Sequence, residues 1–188
     1  AVGGPDRHLS RRQQYAAPKI PHSTSNKMIE IDGSLGEGGG QIIRSSLALS
    51  AVTGQPVRLE NIRAKRSKPG LMRQHLTAVN AVAAVCNASV KGAEIGASSI
   101  TFEPNEIQSG EYKFRVGTAG STSLVAQTIL PALMLADEPS TVTLEGGTHN
   151  PWAPPFDFLQ RVYLTQLAKF GPQVEAVLES HGFYPAGG

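Results

Sequence analysis

Val57-Arg58-Leu59-Glu60-Asn61 and Val142-Thr143-Leu144-Glu145-Gly146 decide the fold. Each alternates apolar and polar residues, the period of a strand with one buried face. They lie 85 residues apart, and their surroundings match. Upstream of the first, Ile29 and Ile31 alternate with Glu30 and Asp32 until Gly33. Upstream of the second, Tyr112, Phe114 and Val116 alternate until Gly117, 84 residues after Gly33. A helix is expected between the strands in both places. The first runs over Gln41–Val52, with Ile42, Ile43, Leu47, Leu49 and Val52 as its apolar residues and Gly54 as its stop. The second covers about 122–136. Pro69-Gly70 precedes another helix over Leu71–Cys86, and Pro154-Pro155 opens its counterpart over about 155–170. Short strands are expected at 88–92 and 98–103, and one more at 173–180. The chain therefore reads as an α+β fold of tandem βαβαββ units, 28–105 and 106–188, with the second cut short. A repeat of this length outweighs any single motif. A doubly wound parallel sheet fits less well, because the paired strands at 88–103 interrupt the βαβ alternation.

The composition agrees with a folded chain rich in tight turns. Of 188 residues, 40% are hydrophobic and 17% charged, and there are 20 Gly and 13 Pro. That apolar share supports a core and argues against wholesale disorder. The net charge is +2, so affinity for nucleic acid has to come from a local cluster. Cys86 is the one cysteine, which excludes an intrachain disulfide framework and a Cys-rich zinc site, and suits a reducing, cytoplasmic setting. No apolar run approaches the ~18 residues of a membrane span. Residues 1–27 carry five basic residues against Asp6 alone, without an apolar period, and read as a flexible leader; a basic RNA-binding arm is the alternative.

Three stretches carry candidate chemistry. Gly36-Glu37-Gly38-Gly39-Gly40-Gln41 lies between a strand and a helix. Glycines there let a ligand approach the backbone, and the helix N-terminus offers free N–H groups to an anion. The loop contains neither GxGxxG nor GxxxxGK[ST]. Glu37 would repel a phosphate unless a metal ion lay between them. The second stretch, 58–75, holds Arg58, Arg63, Lys65, Arg66, Lys68 and Arg73 against Glu60, with Arg44 on the preceding helix. Arginines beside a glycine loop grip phosphates in bidentate fashion; a solvated charged loop is the plainer reading. The third stretch runs from Gly146 to Pro155, where Trp152 is set either to stack on a base or to pack within its own loop. His75, His149 and His181 are each candidates for a nucleophile or base, and none has a partner at zinc spacing.

Taken together, Ile31-Asp32-Gly33, Gly36 to Ile42, Arg44-Ser45, Arg63-Ala64, Arg66, Lys68-Pro69-Gly70-Leu71, Arg73-Gln74-His75-Leu76, Gly146-Gly147-Thr148 and His181 to Gly188 closely resemble the RNA 3′-terminal phosphate cyclases. The likeness runs in order from about Met28 to the last residue. The loop containing Asn150-Pro151 and Ala153-Pro154-Pro155 is similar to that of the bacterial members. The resemblance implies a large domain of repeated βαβαββ units, as in the enolpyruvyl transferases. Two of three expected repeats would be present, with an inserted domain and a third repeat following residue 188.

It also implies a reaction. ATP adenylylates an enzyme histidine, AMP passes to an RNA 3′-phosphate, and the 2′-hydroxyl displaces AMP to leave a 2′,3′-cyclic phosphate. Under the resemblance Glu37 matches a metal-contacting glutamate, for magnesium or manganese. Arg44, Arg63, Arg66 and Gln74 match polar residues needed for activity, and Gln127 and Pro154 match nucleotide contacts. The histidine nucleophile matches no position here, so a chain of these residues alone is expected to be inactive. The partners implied are ATP and an RNA with a 3′-phosphate end. The alternative is the non-catalytic branch of the superfamily, a ribosome-assembly factor, which lacks this polar set. An RNA-binding module resting on 58–75 alone leaves the repeat unexplained.

Overall fold

The computed structural model describes residues 27–188, so the leader reading of 1–27 falls outside the described residues except at Lys27. Strand β1 (Ile29–Asp32) leads through helix α1 (Gly40–Thr53) to β2 (Val57–Glu60), and α2 (Arg73–Val85) leads to β3 (Ser89–Lys91) and β4 (Ile100–Glu103). The four strands form one sheet in the order β1-β2-β4-β3. β1 and β2 run parallel, with Asp32 opposite Glu60, while β4 is antiparallel to both of its neighbours. Strand β5 (Glu111–Arg115), helix α3 (Thr122–Leu133) and β6 (Thr141–Glu145) follow, and β5 and β6 form a second, parallel pair. The fold is thus α+β.

The period-2 reading of β2 and β4 corresponds to real burial. Val57 and Leu59 are buried while Arg58 and Glu60 are exposed, and Ile100 and Phe102 face the same core. On α1, Ile43, Leu47 and Ala51 are spaced by four and fall on one inward stripe. Leu49 does not join them, being 62% exposed. It sits two residues from Leu47, about 200° around the helix. Gly54 closes α1 in the left-handed conformation at φ 71, with its N–H on the Ser50 carbonyl. Val79, Val82 and Val85 of α2 and Val125, Ile129 and Ala132 of α3 complete one continuous core. The three helices pack on one another; α1 touches β2 and β4, α2 touches β5, and α3 touches β6. Glu145, held by Lys113 at 2.8 Å and by Arg115, ties β6 to β5 at the surface.

Two expectations change. The helix expected over 155–170 is a broken one: α4 (Phe156–Phe158), a π-helical turn at Leu159–Tyr163, α5 (Leu164–Leu167) and a final 3₁₀ turn at Ala168–Phe170. The strand expected at 173–180 is absent. Its alternation survives, with Val174, Ala176 and Leu178 half-buried between exposed neighbours, but no described strand pairs with it. In the first sheet β3 is a strand because β4 lies alongside; the 173–180 segment has no such neighbour. An alternating pattern makes a strand only where backbone partners exist.

The register places the loops. Parallel strands end on the same side, so the loops after β1 and β2 leave together, and so do those after β5 and β6. Asp32 links the first two by accepting from Ser34 N at 2.9 Å and Asn61 Nδ2 at 3.2 Å; these bonds hold its carboxyl below the usual range. A bridge between Ser121 and Gly147 links the second two.

Candidate functional site: an arginine cluster over a helix N-terminus

The site is built on the first turn of α1. Its N-cap is Gly39, and no side chain caps the helix, so its first N–H groups remain free donors. Both glycines there are hemmed in by polar groups. A Cβ at Gly39 would lie 3.0 Å from Arg66 Nη2. A Cβ at Gly40 would overlap His75 Nε2 and lie 3.0 Å from Arg44 Nη1. A side chain at Gly40 would displace His75, and one at Gly39 would crowd Arg66, so the glycines leave room for what converges on the helix end.

Arg44 is buried, with 7% of its surface exposed, and among the described residues no carboxylate pairs with it. Its Nη2 donates to Gln41 Oε1 at 2.8 Å and its Nε to Gln127 Oε1 at 3.3 Å, across from α1 to α3. Burial lowers its pKa, because a guanidinium out of water is disfavoured in its charged form. Arg63 holds a left-handed backbone at φ 54 and donates through Nη1 to Lys68 O at 2.6 Å and Gly70 O at 2.8 Å. It clasps its own loop, a part the phosphate-gripping expectation did not contain. Burial first, then the nearby Arg66 charge, lowers its pKa. Arg66 reaches the exposed carboxylate of Glu37, the one acidic side chain paired within the cluster among the described residues.

Gln74 is placed between the two halves, its Oε1 accepting from Ser121 N at 2.7 Å. Ser121 caps α3, accepting from Leu124 N, and bonds Ser123 Oγ at 2.8 Å. Ser123 Oγ donates to the Pro154 carbonyl at 2.7 Å. Ser123 and Gln127 stand four residues apart on one face of α3. The same stripe therefore anchors Pro154 at one turn and Arg44 at the next. Gln41, quoted in the glycine stretch without a role of its own, and the Ser121–Ser123 pair, not among the sequence candidates, belong to this arrangement. The i, i+3 spacing of Gln41 and Arg44 was the one available signal.

The loop that holds Pro154 also carries Trp152 and His149, and is tied to the chain just ahead of α3 by Asn150 Nδ2 donating to Ala119 O at 2.8 Å. Trp152 is 92% exposed, which overturns the packed-loop alternative for it. His149 bonds Asp157 Oδ2 at 3.0 Å and Thr148 Oγ1 at 2.8 Å, and its ring stacks on His181 at 5.3 Å. Both of its nitrogens are engaged, so it offers no free lone pair for nucleophilic attack.

His75 is the most perturbed group of the cluster. Burial, then the charges of Arg63 and Arg44, bring its pKa from 6.5 down to about 4. A folded-state value below the unfolded one means that the unfolded chain takes the proton first. Stability is therefore complete above the unfolded value and falls as pH drops from 6.5 toward 4. At about 1.4 kcal/mol per unit, the full loss is on the order of 3–3.5 kcal/mol. Urea midpoints at about pH 7 and about pH 4.5 should differ less in His75→Gln than in the unsubstituted protein. Equal pH slopes in the two would show that the imidazole is not held neutral.

Comparison with known sequences bears on the same segment. The family model described as RNA 3′-terminal phosphate cyclase matches residues 35–188, which contain every residue of this cluster. The chain belongs to the RNA 3′-terminal phosphate cyclase family. Curated proteins of that name are similar to it over about 85% of its length. The one from Ectopseudomonas mendocina is 59% identical over 160 residues, covering 85% of this chain and 46% of the relative. That from Koribacter versatilis is 58% identical over 161 residues, covering 86% and 45%. That from Ralstonia nicotianae is 59% identical over 160 residues, covering 85% and 46%. The chain thus spans about half the length of the cyclases it matches. Among the described residues, no helix is long and apolar enough to cross a membrane.

Proposed function

We propose that the full-length protein is an ATP-dependent, ligase-class enzyme that converts an RNA 3′-phosphate into a 2′,3′-cyclic phosphate. One observation carries the reading. Arg44, Arg63 and Arg66 gather at an uncapped helix N-terminus, and Arg44 and Arg63 are satisfied by neutral amide and carbonyl oxygens rather than carboxylates. Such a site carries uncompensated positive charge, and the ligand that relieves it is an anion. The names of the relatives favour a phosphorylated RNA end as one such anion, and ATP as the other follows from the resemblance.

The chemistry asks little covalent work of these residues. A histidine nitrogen attacks the α-phosphorus of ATP, and pyrophosphate leaves. An oxygen of the RNA 3′-phosphate displaces the histidine, forming a phosphoanhydride to AMP. The adjacent 2′-hydroxyl loses its proton, attacks the 3′-phosphorus, and AMP leaves. The hydroxyl is tethered next to its target, so proximity supplies much of the rate. Neutralising and aligning phosphates remains, and Arg44, Arg63, Arg66 and the α1 N–H groups are suited to it. Gln74 would hold a phosphate through its amide nitrogen, while Gln127 and Pro154 would border the nucleotide. We place the attacking histidine in the part of the relatives' length that this chain does not span, consistent with His149 being fully hydrogen-bonded. The reaction is assigned to the cytoplasm, where the buried free Cys86 suits reducing conditions.

The donor set can accommodate a divalent ion of the magnesium or manganese type. Glu37 is exposed and stands immediately before the α1 N-terminus. Among the described residues no group of three acidic, His or Cys side chains could enclose a metal. One carboxylate shared with nucleotide phosphates is a usual arrangement for magnesium. When bound, such an ion would offset phosphate charge beside Glu37.

Given ATP labelled in its α-phosphate and a divalent metal, the full-length protein should form an acid-labile protein–AMP adduct. A polypeptide of these 188 residues should form none. Absence of the adduct in the full-length protein would assign the non-catalytic assembly-factor role instead.

A further inference from the structure

We propose that His75 donates a hydrogen bond from Nε2–H to a phosphate group bound at the head of α1. The inference rests on the anion-site reading above and assigns a binding residue to it. Three observations carry it. First, the tautomer is dictated: Nδ1 accepts the backbone N–H of Met72, the N-cap of α2, at 3.2 Å. A neutral ring with Nδ1 as acceptor has its proton on Nε2. Second, Nε2 points at the α1 N-terminus, so closely over Gly40 that a methyl group there would overlap it. Third, burial of the ring, and after it the charges of Arg63 and Arg44, disfavour a further cation and keep the imidazole a neutral donor. A neutral donor adds a directed hydrogen bond without adding charge, complementing the three guanidiniums already present. Two glycines, the α1 N–H groups, Arg44, Arg66 and His75 Nε2 then line one cradle.

The ligand class is a phosphate oxygen, and two sources supply it: the polyphosphate of a nucleotide or the 3′-phosphate of an RNA. The test separates the two nitrogens of the ring. Asparagine places a polar atom where Nδ1 was, so His75→Asn keeps an acceptor for Met72 N–H and loses the donor. Glutamine reaches as far as Nε2, so His75→Gln keeps a donor and loses the cap. In the full-length protein, binding of inorganic tripolyphosphate and of a 3′-phosphorylated oligonucleotide would be measured by calorimetry, with melting temperatures alongside.

The expected result is a split. His75→Asn binds at least one of the two probes about ten-fold more weakly at nearly unchanged melting temperature. His75→Gln melts earlier and keeps its affinity. Weakening toward tripolyphosphate alone assigns the bond to the nucleotide; weakening toward the oligonucleotide alone assigns it to the RNA end. Affinity kept by both variants, or lost equally by both, overturns the proposal. A protein that shows the split but forms no AMP adduct retains the donor and loses the cyclase reading. One that forms the adduct without the split does the reverse.

Discussion

Full-length protein carrying Arg66→Ala should turn over an RNA 3′-phosphate end more than ten-fold more slowly than the unsubstituted protein, with a similar melting temperature. The two halves of this expectation have different physical origins. Arg66 is partly exposed, and its ion pair with Glu37 is at the surface. Such pairs contribute at most about 1 kcal/mol to folding. Toward a phosphate the same guanidinium makes charge-assisted bonds worth about 1.5–3 kcal/mol each. Losing one of them costs about ten-fold to a hundred-fold in rate if it is realised in the transition state. Arg66→Lys should recover part of the loss, since it restores charge without the planar fork. Turnover left intact by Arg66→Ala would remove Arg66 from the phosphate site.

Gly70→Ala is expected to be the most damaging single methyl group in the arginine loop. Gly70 has φ 77, and its Cβ would overlap the Gly96 carbonyl and lie 3.0 Å from the Ala97 carbonyl. Neither neighbour is a side chain that can swing away. The positive φ costs an alanine about 1–2 kcal/mol. Separating the strands of chain here also strains Gly70 N to Ile62 O at 2.8 Å and Leu71 N to Ala97 O at 3.0 Å. A total near 3 kcal/mol would lower the melting temperature by roughly 6–12 °C for a chain of this size. Gly96→Ala is the control: φ is 83, but nothing lies within 4 Å of its Cβ position, so only the conformational cost of about 1–2 kcal/mol applies. Because Arg63 donates to the Gly70 carbonyl, Gly70→Ala should also weaken phosphate binding, whereas Gly96→Ala should not. Equal melting temperatures for the two variants would refute the backbone clash.

The residue pattern was a good guide wherever burial repeats along a single element. Val57 and Leu59 announce one face of β2, and Ile43, Leu47 and Ala51 one stripe of α1, because each apolar side chain is excluded from water by its immediate layer. Gly33 and Gly54 mark the ends of β1 and α1 for equally local reasons. The pattern misled at Leu49, whose angular position outranks its hydrophobicity, and at 173–180, where alternation is present and a pairing strand is not. Helix spacing alone sets Leu49 off the buried stripe, whereas nothing local distinguishes 173–180 from a segment that becomes a strand.

The candidate site was legible as an inventory and illegible as an arrangement. Glu37, Arg44, Arg63, Arg66 and Gln74 stand out by type and by resemblance. That Arg63 clasps its own loop, that Gln41 and Gln127 share Arg44, and that His75 offers Nε2 rather than Nδ1 cannot be read from spacing. From the chain alone, then, came the local elements, the glycine loops and the stock of phosphate-binding side chains. Only the packed molecule settled which of them meet. The bonds that assemble the site span 29, 47 and 83 residues, from Arg66 to Glu37, Ser121 to Gln74 and Arg44 to Gln127. They form because parallel strand ends bring separate loops to one side and because α1 packs against α3. Hydrophobic periodicity encodes the burial of each element, while the relative placement of elements is decided by the shared core that forms between them.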